Sequence, residues 1–255
     1  MVIMPIRSGG RSGGEMKIVA VIRTRDEAHR IGAFCQAYEQ CDAILVADGG
    51  SKDDTIQIAQ TYPNVKVRRF EGRTQLANGH WRNNDSHHIN FLLQWAREEG
   101  ADWIILDDCD CRPNFFLKQE YRRILETTTF DVVMAVRVYL WGTDQHFPNM
   151  AKPAEGHEHW EPSLWAWRTK LDLWTIDLPP AFMLRIGDRQ VNDLHDSANV
   201  LDVLPPLALM HFSWDDPDRV KEKIKVYRDS GLVPGQLHPL GFAGPLGPLP
   251  WWAHE

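Results

Sequence analysis

Three carboxylates, Asp107, Asp108 and Asp110, follow directly on an apolar run in WIILDDCDCRP (103–113). Acid groups this close repel one another unless a cation sits among them. An Asp-x-Asp pair at the carboxyl end of a buried strand offers hard oxygen ligands to Mg2+ or Mn2+ and leaves coordination positions for phosphate oxygens. A solvated acidic turn closing the strand is the other reading of the same residues. A second strand-like run, ILVADGGSKDDT (44–55), also ends in an acid. Asp48 there either accepts a hydrogen bond from a ligand or caps the Gly-Gly turn behind it.

The elements that must position these acids alternate regularly. KIVAVIRT (17–24), AILVAD (43–48), VKVRRF (65–70), WIILDD (103–108) and DVVMAVRVYLW (131–141) read as strands. Between them, 26–40, the segment after GGSKDD, 87–100 and 115–128 carry apolar residues at helical spacing. Ser51 is expected to cap the second helix, with Asp53 and Asp54 in its first turn, and Gly100 to stop the third. Alternation of this kind predicts a mostly parallel sheet with helices on both faces. Ligands of such sheets gather at the strand carboxyl ends, where Thr24, Asp48 and Asp108 all fall. The second half is less regular, with short apolar pieces expected to add antiparallel strands or a flap. LALMHFSW (207–214) reads as a late strand carrying His211, and 216–231 as a helix.

Composition narrows the class. The chain has 255 residues, 43% hydrophobic and 25% charged, as in ordinary globular proteins. No apolar run approaches a bilayer span, and the first fifteen residues lack the apolar core of a secretory signal. A net charge of -7 gives no general attraction for nucleic acid. Cys35, Cys41, Cys109 and Cys111 fit no zinc spacing and are expected to be reduced thiols, in keeping with a cytoplasmic location.

The order and spacing of these segments resemble family 2 glycosyltransferases of the GT-A fold. ADGGSKDDT is similar to the family's DGS-x-DxT signature, VIRTRDEAHRI to its opening strand and turn, and GADWIILDDCDCRP to its Asp-x-Asp segment. Asp26 stands where the family usually has Asn, and Asp107 where it has an apolar residue. The resemblance covers about residues 16–130 well and 207–230 more loosely. It implies a metal-dependent enzyme that transfers a sugar from a nucleotide-diphosphate sugar, UDP-linked before GDP-linked, to an acceptor hydroxyl. Asp110 would bind Mn2+ or Mg2+, Asp108 metal or ribose, and His211 would be the third protein ligand. Asp48 would accept from the base, Thr24 and Arg25 would contact base or ribose, and Arg82 would pair with diphosphate. The expected domains are a flexible leader (1–15), one catalytic domain (16–231, divided into a nucleotide-sugar half to 130 and an acceptor half beyond) and a Pro/Gly-rich tail (232–255).

The catalytic acid is sought between the Asp-x-Asp segment and the end of the core. Asp188 and Asp193 are the candidates, with Glu161 behind them. Trp160, Trp165, Trp167 and Trp174 crowd the acceptor half, and one or two are expected to line a site by stacking on a sugar or base. His157 and His159 are read as a polar loop. The acceptor's class stays open among glycan, protein, small molecule and modified nucleic acid. Two alternatives share some of these features: a haloacid-dehalogenase-type phosphatase or phosphotransferase, whose first Asp would be a nucleophile, and a non-catalytic sugar-nucleotide-binding protein.

Overall fold

A computed structural model describes residues 15–70, 73–75, 81–83, 85–141, 145–147, 162–178, 181–191, 194–214 and 247–248. In chain order the first half comprises β1 (Ile18–Thr24), α1 (Ala28–Ala37), β2 (Ala43–Asp48), α2 (Thr55–Ala59), β3 (Val65–Arg69), β4 (Arg73–Gln75), β5 (Trp81–Asn83), α3 (Asp85–Glu98), β6 (Trp103–Leu106), β7 (Cys111–Pro113) and α4 (Phe115–Thr127). The second half adds β8 (Val132–Trp141), β9 (Gln145–Phe147), β10 (Pro162–Arg168), β11 (Leu173–Leu178), β12 (Ala181–Ile186), β13 (Arg189–Val191), β14 (Val200–Val203), β15 (Leu209–Trp214) and β16 (Gly247–Pro248). The expected leader, the helix at 216–231 and most of the tail lie outside the described residues.

The expected parallel sheet is present. β6, β1, β2 and β3 lie side by side and parallel, with Thr24 opposite Asp48 at the ends of β1 and β2. The chain steps outward from β1 to β3 and then returns to place β6 on the other side of β1. The strand order therefore reverses between β1 and β6, where an open sheet leaves a crevice at its carboxyl edge. β10 enters antiparallel between β6 and β8, and β14 and β15 join β8 in parallel.

Alternation along the strands builds two cores. Ile18, Ala20, Ile22, Ile44, Val46 and Trp103 point to one face, where they pack with Ile31 and Phe34 of α1 and Leu117 and Tyr121 of α4. Val19, Val21, Leu45, Ala47 and Ile104 point to the other and meet Ile89, Leu92, Leu93 and Ala96 of α3. Both faces are covered, which is why these strands are apolar throughout. No helix among the described residues is long and apolar enough to cross a membrane.

Two details depart from expectation. α2 begins at Thr55, so Ser51 does not cap it, and Asp54 at the cap position makes no side-chain cap bond. The three-residue β7 went unpredicted because so short a strand carries no periodicity of its own. It pairs antiparallel with β15, setting His211 opposite Cys111.

Asn114 locks that pairing in place. Wholly buried, its Oδ1 accepts from the Leu117 amide (3.0 Å) as the cap of α4 and from the Ala208 amide (3.3 Å), while Nδ2 donates to the Pro206 carbonyl (2.8 Å). Asn114→Ala removes a cap and strands buried polar groups, so it should cost about 2–4 kcal/mol in chemical denaturation. A loss under about 1 kcal/mol would mean water replaces the side chain.

Candidate functional site

The loops after β1 and β2 are stitched together at the carboxyl edge. The Asp26 amide donates to Ser51 Oγ (3.0 Å), and Asp26 Oδ1 accepts from the Lys52 amide (2.7 Å). Glu27 and Ala28 donate to Thr55 Oγ1 (2.8 Å) and Asp53 Oδ2 (3.1 Å). Asp26 sits at φ 53°, a left-handed conformation that a short Asx side chain tolerates. Partial burial pulls the Asp53 carboxyl up, but bonds from Thr55 and from the Ala28 and Thr55 amides outweigh it and hold it below the usual range. Asp53 is thus a joint between loops.

Asp48 caps its turn. Its carboxylate accepts from the Gly50 amide (3.1 Å), the Ser51 amide (3.0 Å) and the Ser51 hydroxyl (2.6 Å). Gly50 supplies the positive φ of 89° that the turn requires. A carboxylate has about four acceptor positions, so three donors leave about one for a ligand. Beneath it, His88 of α3 places Nε2 3.1 Å from the Ala47 carbonyl and packs its ring on Phe70. Burial pushes His88 below the ordinary histidine range, and the neutral ring carries its proton on the nitrogen facing that carbonyl.

Asp107, the acid out of pattern with the family, anchors the acidic loop. It is 3% exposed. The Tyr38 hydroxyl donates to Oδ2 (2.7 Å), the Asp108 amide to Oδ1 (3.1 Å), and the Arg137 guanidinium lies 3.5 Å from Oδ1. Trp165 Nε1 in turn donates to the Tyr38 hydroxyl (3.1 Å). Burial pushes the Asp107 carboxyl up to about 6, against the pull of Arg137 and the Tyr38 hydroxyl.

Beyond this anchor the two acids of the pair diverge. Asp108 Oδ1 accepts from Arg23 Nε (3.2 Å), and Asp108 is nearly half exposed. Asp110 lies with its Oδ1 3.9 Å from His211 Nε2, both side chains largely buried, and its carbonyl accepts from the Phe212 amide (2.6 Å). Arg30 of α1 holds the same segment by donating to the Phe212 carbonyl (2.9 Å). Among the described residues no three His, Cys, Asp or Glu side chains converge on one point.

Thr24 is buried beside Cys109, with 3.9 Å between Oγ1 and Sγ, and Arg25 is exposed with Nε 3.4 Å from Asp26. The structure therefore brings Thr24, Arg25, Asp48, Asp108, Asp110 and His211 to one edge. It does not bring Asp188 there. Asp188 lies on the β12–β13 turn, where Gly187 bonds the Asp172 carbonyl (3.1 Å). Thr169 just before that point bonds Ala101 and Asp102, which precede β6, so this is the amino edge of the sheet. Arg82 falls on β5, but its side chain, like Asp193, Glu161, His157, His159 and Trp160, lies outside the described residues. Trp165 and Trp167 are wholly buried in the core, and Trp174 packs under the Arg97 guanidinium near the amino edge.

The sequence reading missed Tyr38, Arg137, Arg23 and His88. A charged residue on the apolar strands of Arg23 and Arg137 was a usable signal; the Tyr38 contact was not, because it depends on tertiary packing alone.

The raised Asp107 carboxyl has a consequence for stability. Its folded value lies above the unfolded value of about 3.9, so its contribution is full below about pH 4 and falls as pH rises to about 6, by on the order of 3 kcal/mol at most. Asp107→Asn should flatten that stretch of the stability–pH curve, measured by urea denaturation at stepped pH. An unchanged slope would assign the titration to another group.

Comparison with known proteins agrees with this architecture. The profile described as glycosyl transferase family 2 matches residues 21–185. Among solved structures, residues 1–349 of S. aureus TarS superpose with a TM-score of 0.50 at 15% identity, covering 83% of this chain and 64% of that one. A longer S. aureus TarS structure gives 0.51 at 14% identity, covering 87% and 41%. TarS 1–349 in complex with UDP-GlcNAc gives 0.43 at 16% identity, covering 63% and 49%. The chain thus spans less than two thirds of these TarS chains. A search of the curated proteins finds no match. With the strand order, the edge cluster and a family match over well more than half its length, the chain belongs to glycosyl transferase family 2, an enzyme family built on the GT-A fold.

Proposed function

We propose that this glycosyltransferase is metal-assisted and takes its sugar from a UDP-linked donor bound across the β1–β6 switch point. The observation that carries the reading is the pairing of Asp110 with His211 beside Asp108, Thr24 and Asp48. An oxygen and a nitrogen 3.9 Å apart stand about 1 Å wider than neighbouring ligands of an octahedral ion with bonds of roughly 2.1 Å, a gap that a small side-chain rotation closes. Mg2+ and Mn2+ sites of this kind take one or two protein ligands and complete themselves with substrate phosphates and water. The absence of a three-ligand cluster among the described residues is compatible with such a shared site.

The cation would supply a Lewis acid for the departing diphosphate. The chain's own residues do the rest. Asp48 presents its remaining acceptor position to the base, which favours uracil N3–H. Thr24 and Arg25 border the nucleoside. Arg82 is assigned to the diphosphate. Of the two candidate bases, Asp193 is the one proposed. Asp188, on the β12–β13 turn, stands at the amino edge instead. The acceptor is a hydroxyl on a glycan, protein, small molecule or modified nucleic acid. A cytoplasmic location is part of the proposal and rests on four buried free thiols.

Calorimetric titration with UDP and GDP, each with and without Mn2+, tests this. UDP should bind about tenfold tighter with Mn2+ than without it, and Asp110→Ala should abolish that difference. Nucleotide binding indifferent to metal would sink the proposal. UDP release from a panel of UDP-sugars should separate an enzyme from a binding protein that retains only the donor site.

A further inference from the structure

The two acids of the Asp-x-Asp pair take their partners from different strands, Asp108 from β1 and Asp110 from β15. Arg23 shares the strand parity of Val19 and Val21, whose side chains pack on the α3 face, and its guanidinium holds Asp108 at 3.2 Å. His211 shares the parity of Leu209, which packs in the core on the α1 and α4 face, and it receives Asp110. Asp107, which precedes both in the chain, accepts from the Asp108 amide and so fixes the start of the divergence.

We infer that Arg23 is a positioning residue that withholds Asp108 from the cation. Resting on the proposed donor site, this leaves Asp110 and His211 as the protein ligands and turns Asp108 toward the nucleoside. An arginine suits the task. It stays charged at every working pH, and its carboxylate bond is charge-assisted and directional. A cation beside Asp108 would also have to approach the guanidinium's positive charge. Asp108 is partly exposed, so its release needs only a rotation of its own side chain.

The experiment is Mn2+ binding in the presence of saturating UDP, read by the loss of the free Mn2+ electron-paramagnetic signal. It is run on the native chain, Arg23→Gln, Arg23→Lys, Asp108→Asn and the double variant. Removing Arg23 frees a carboxylate ligand, so Arg23→Gln should tighten Mn2+ by about tenfold, while Arg23→Lys keeps the ion pair and stays near the native value. The gain should vanish in the double variant relative to Asp108→Asn alone. An unchanged or weakened affinity in Arg23→Gln would overturn the inference, as would a gain that persists in the double variant, which would report only the lost positive charge. If the native chain takes up no Mn2+ with UDP, the donor-site proposal itself fails, a result distinct from native uptake that Arg23 does not modulate.

Discussion

A carboxylate buried at the foot of an acidic loop must be solvated by protein groups or be neutralised, and Asp107 meets that constraint with partners from across the fold. Tyr38 comes from the C-cap of α1, Arg137 from β8 and, through Tyr38, Trp165 from β10. The same Asp107 oxygen that faces Arg137 also receives the Asp108 amide. The geometry of the candidate metal pair is therefore coupled to the packing of both halves of the chain. Replacing any one partner leaves another buried polar group without its bond, which is more costly than never having built the network.

Much of the fold was legible because burial on both faces writes itself into the sequence as continuous apolar strands. β1, β2, β6 and β8 were read within a residue or two, as was α4. The strand-end residues Thr24, Asp48 and Asp108 were legible for the same reason, since the end of an apolar run marks the sheet edge. What escaped depended on partners distant in sequence. Tyr38 and Asp107 are 69 residues apart, and Trp165 lies 127 from Tyr38, so no local pattern links them. Ser51 was misread because the family-like Asp-Gly-Gly-Ser turn and a helix cap use the same residue types. Here its hydroxyl serves Asp48 and the Asp26 amide instead. Of the four tryptophans among which one or two were expected to line a site, the insertion of β10 between β6 and β8 commits Trp165 and Trp167 to the core.

The carboxyl edge itself is built from loops that hold one another rather than from helix caps. Asp26, Ser51, Asp53 and Thr55 exchange bonds between the β1 and β2 turns, and Gly49 lies close enough to Thr24 for its amide to bond that carbonyl at 2.8 Å. A Cβ at Gly49 would come into van der Waals contact with the Thr24 carbonyl, at 3.4 Å. Such an edge is preorganised. A ligand arriving there meets acceptors already aimed and does not have to order the loops as it binds.

The antiparallel pairing of β7 with β15 bears on the order in which the molecule can assemble. β1, α1, β2, β6 and α4 can associate from contacts within the first half. The Asp110–His211 pair cannot close until β8 has docked and β15 has been laid between it and β7. Long-range pairing of this kind is slow because the intervening chain must be ordered first. Asp110 would then spend the early part of folding without His211, and Asp107 without Arg137, so this part of the site would be among the last features of the native state to form.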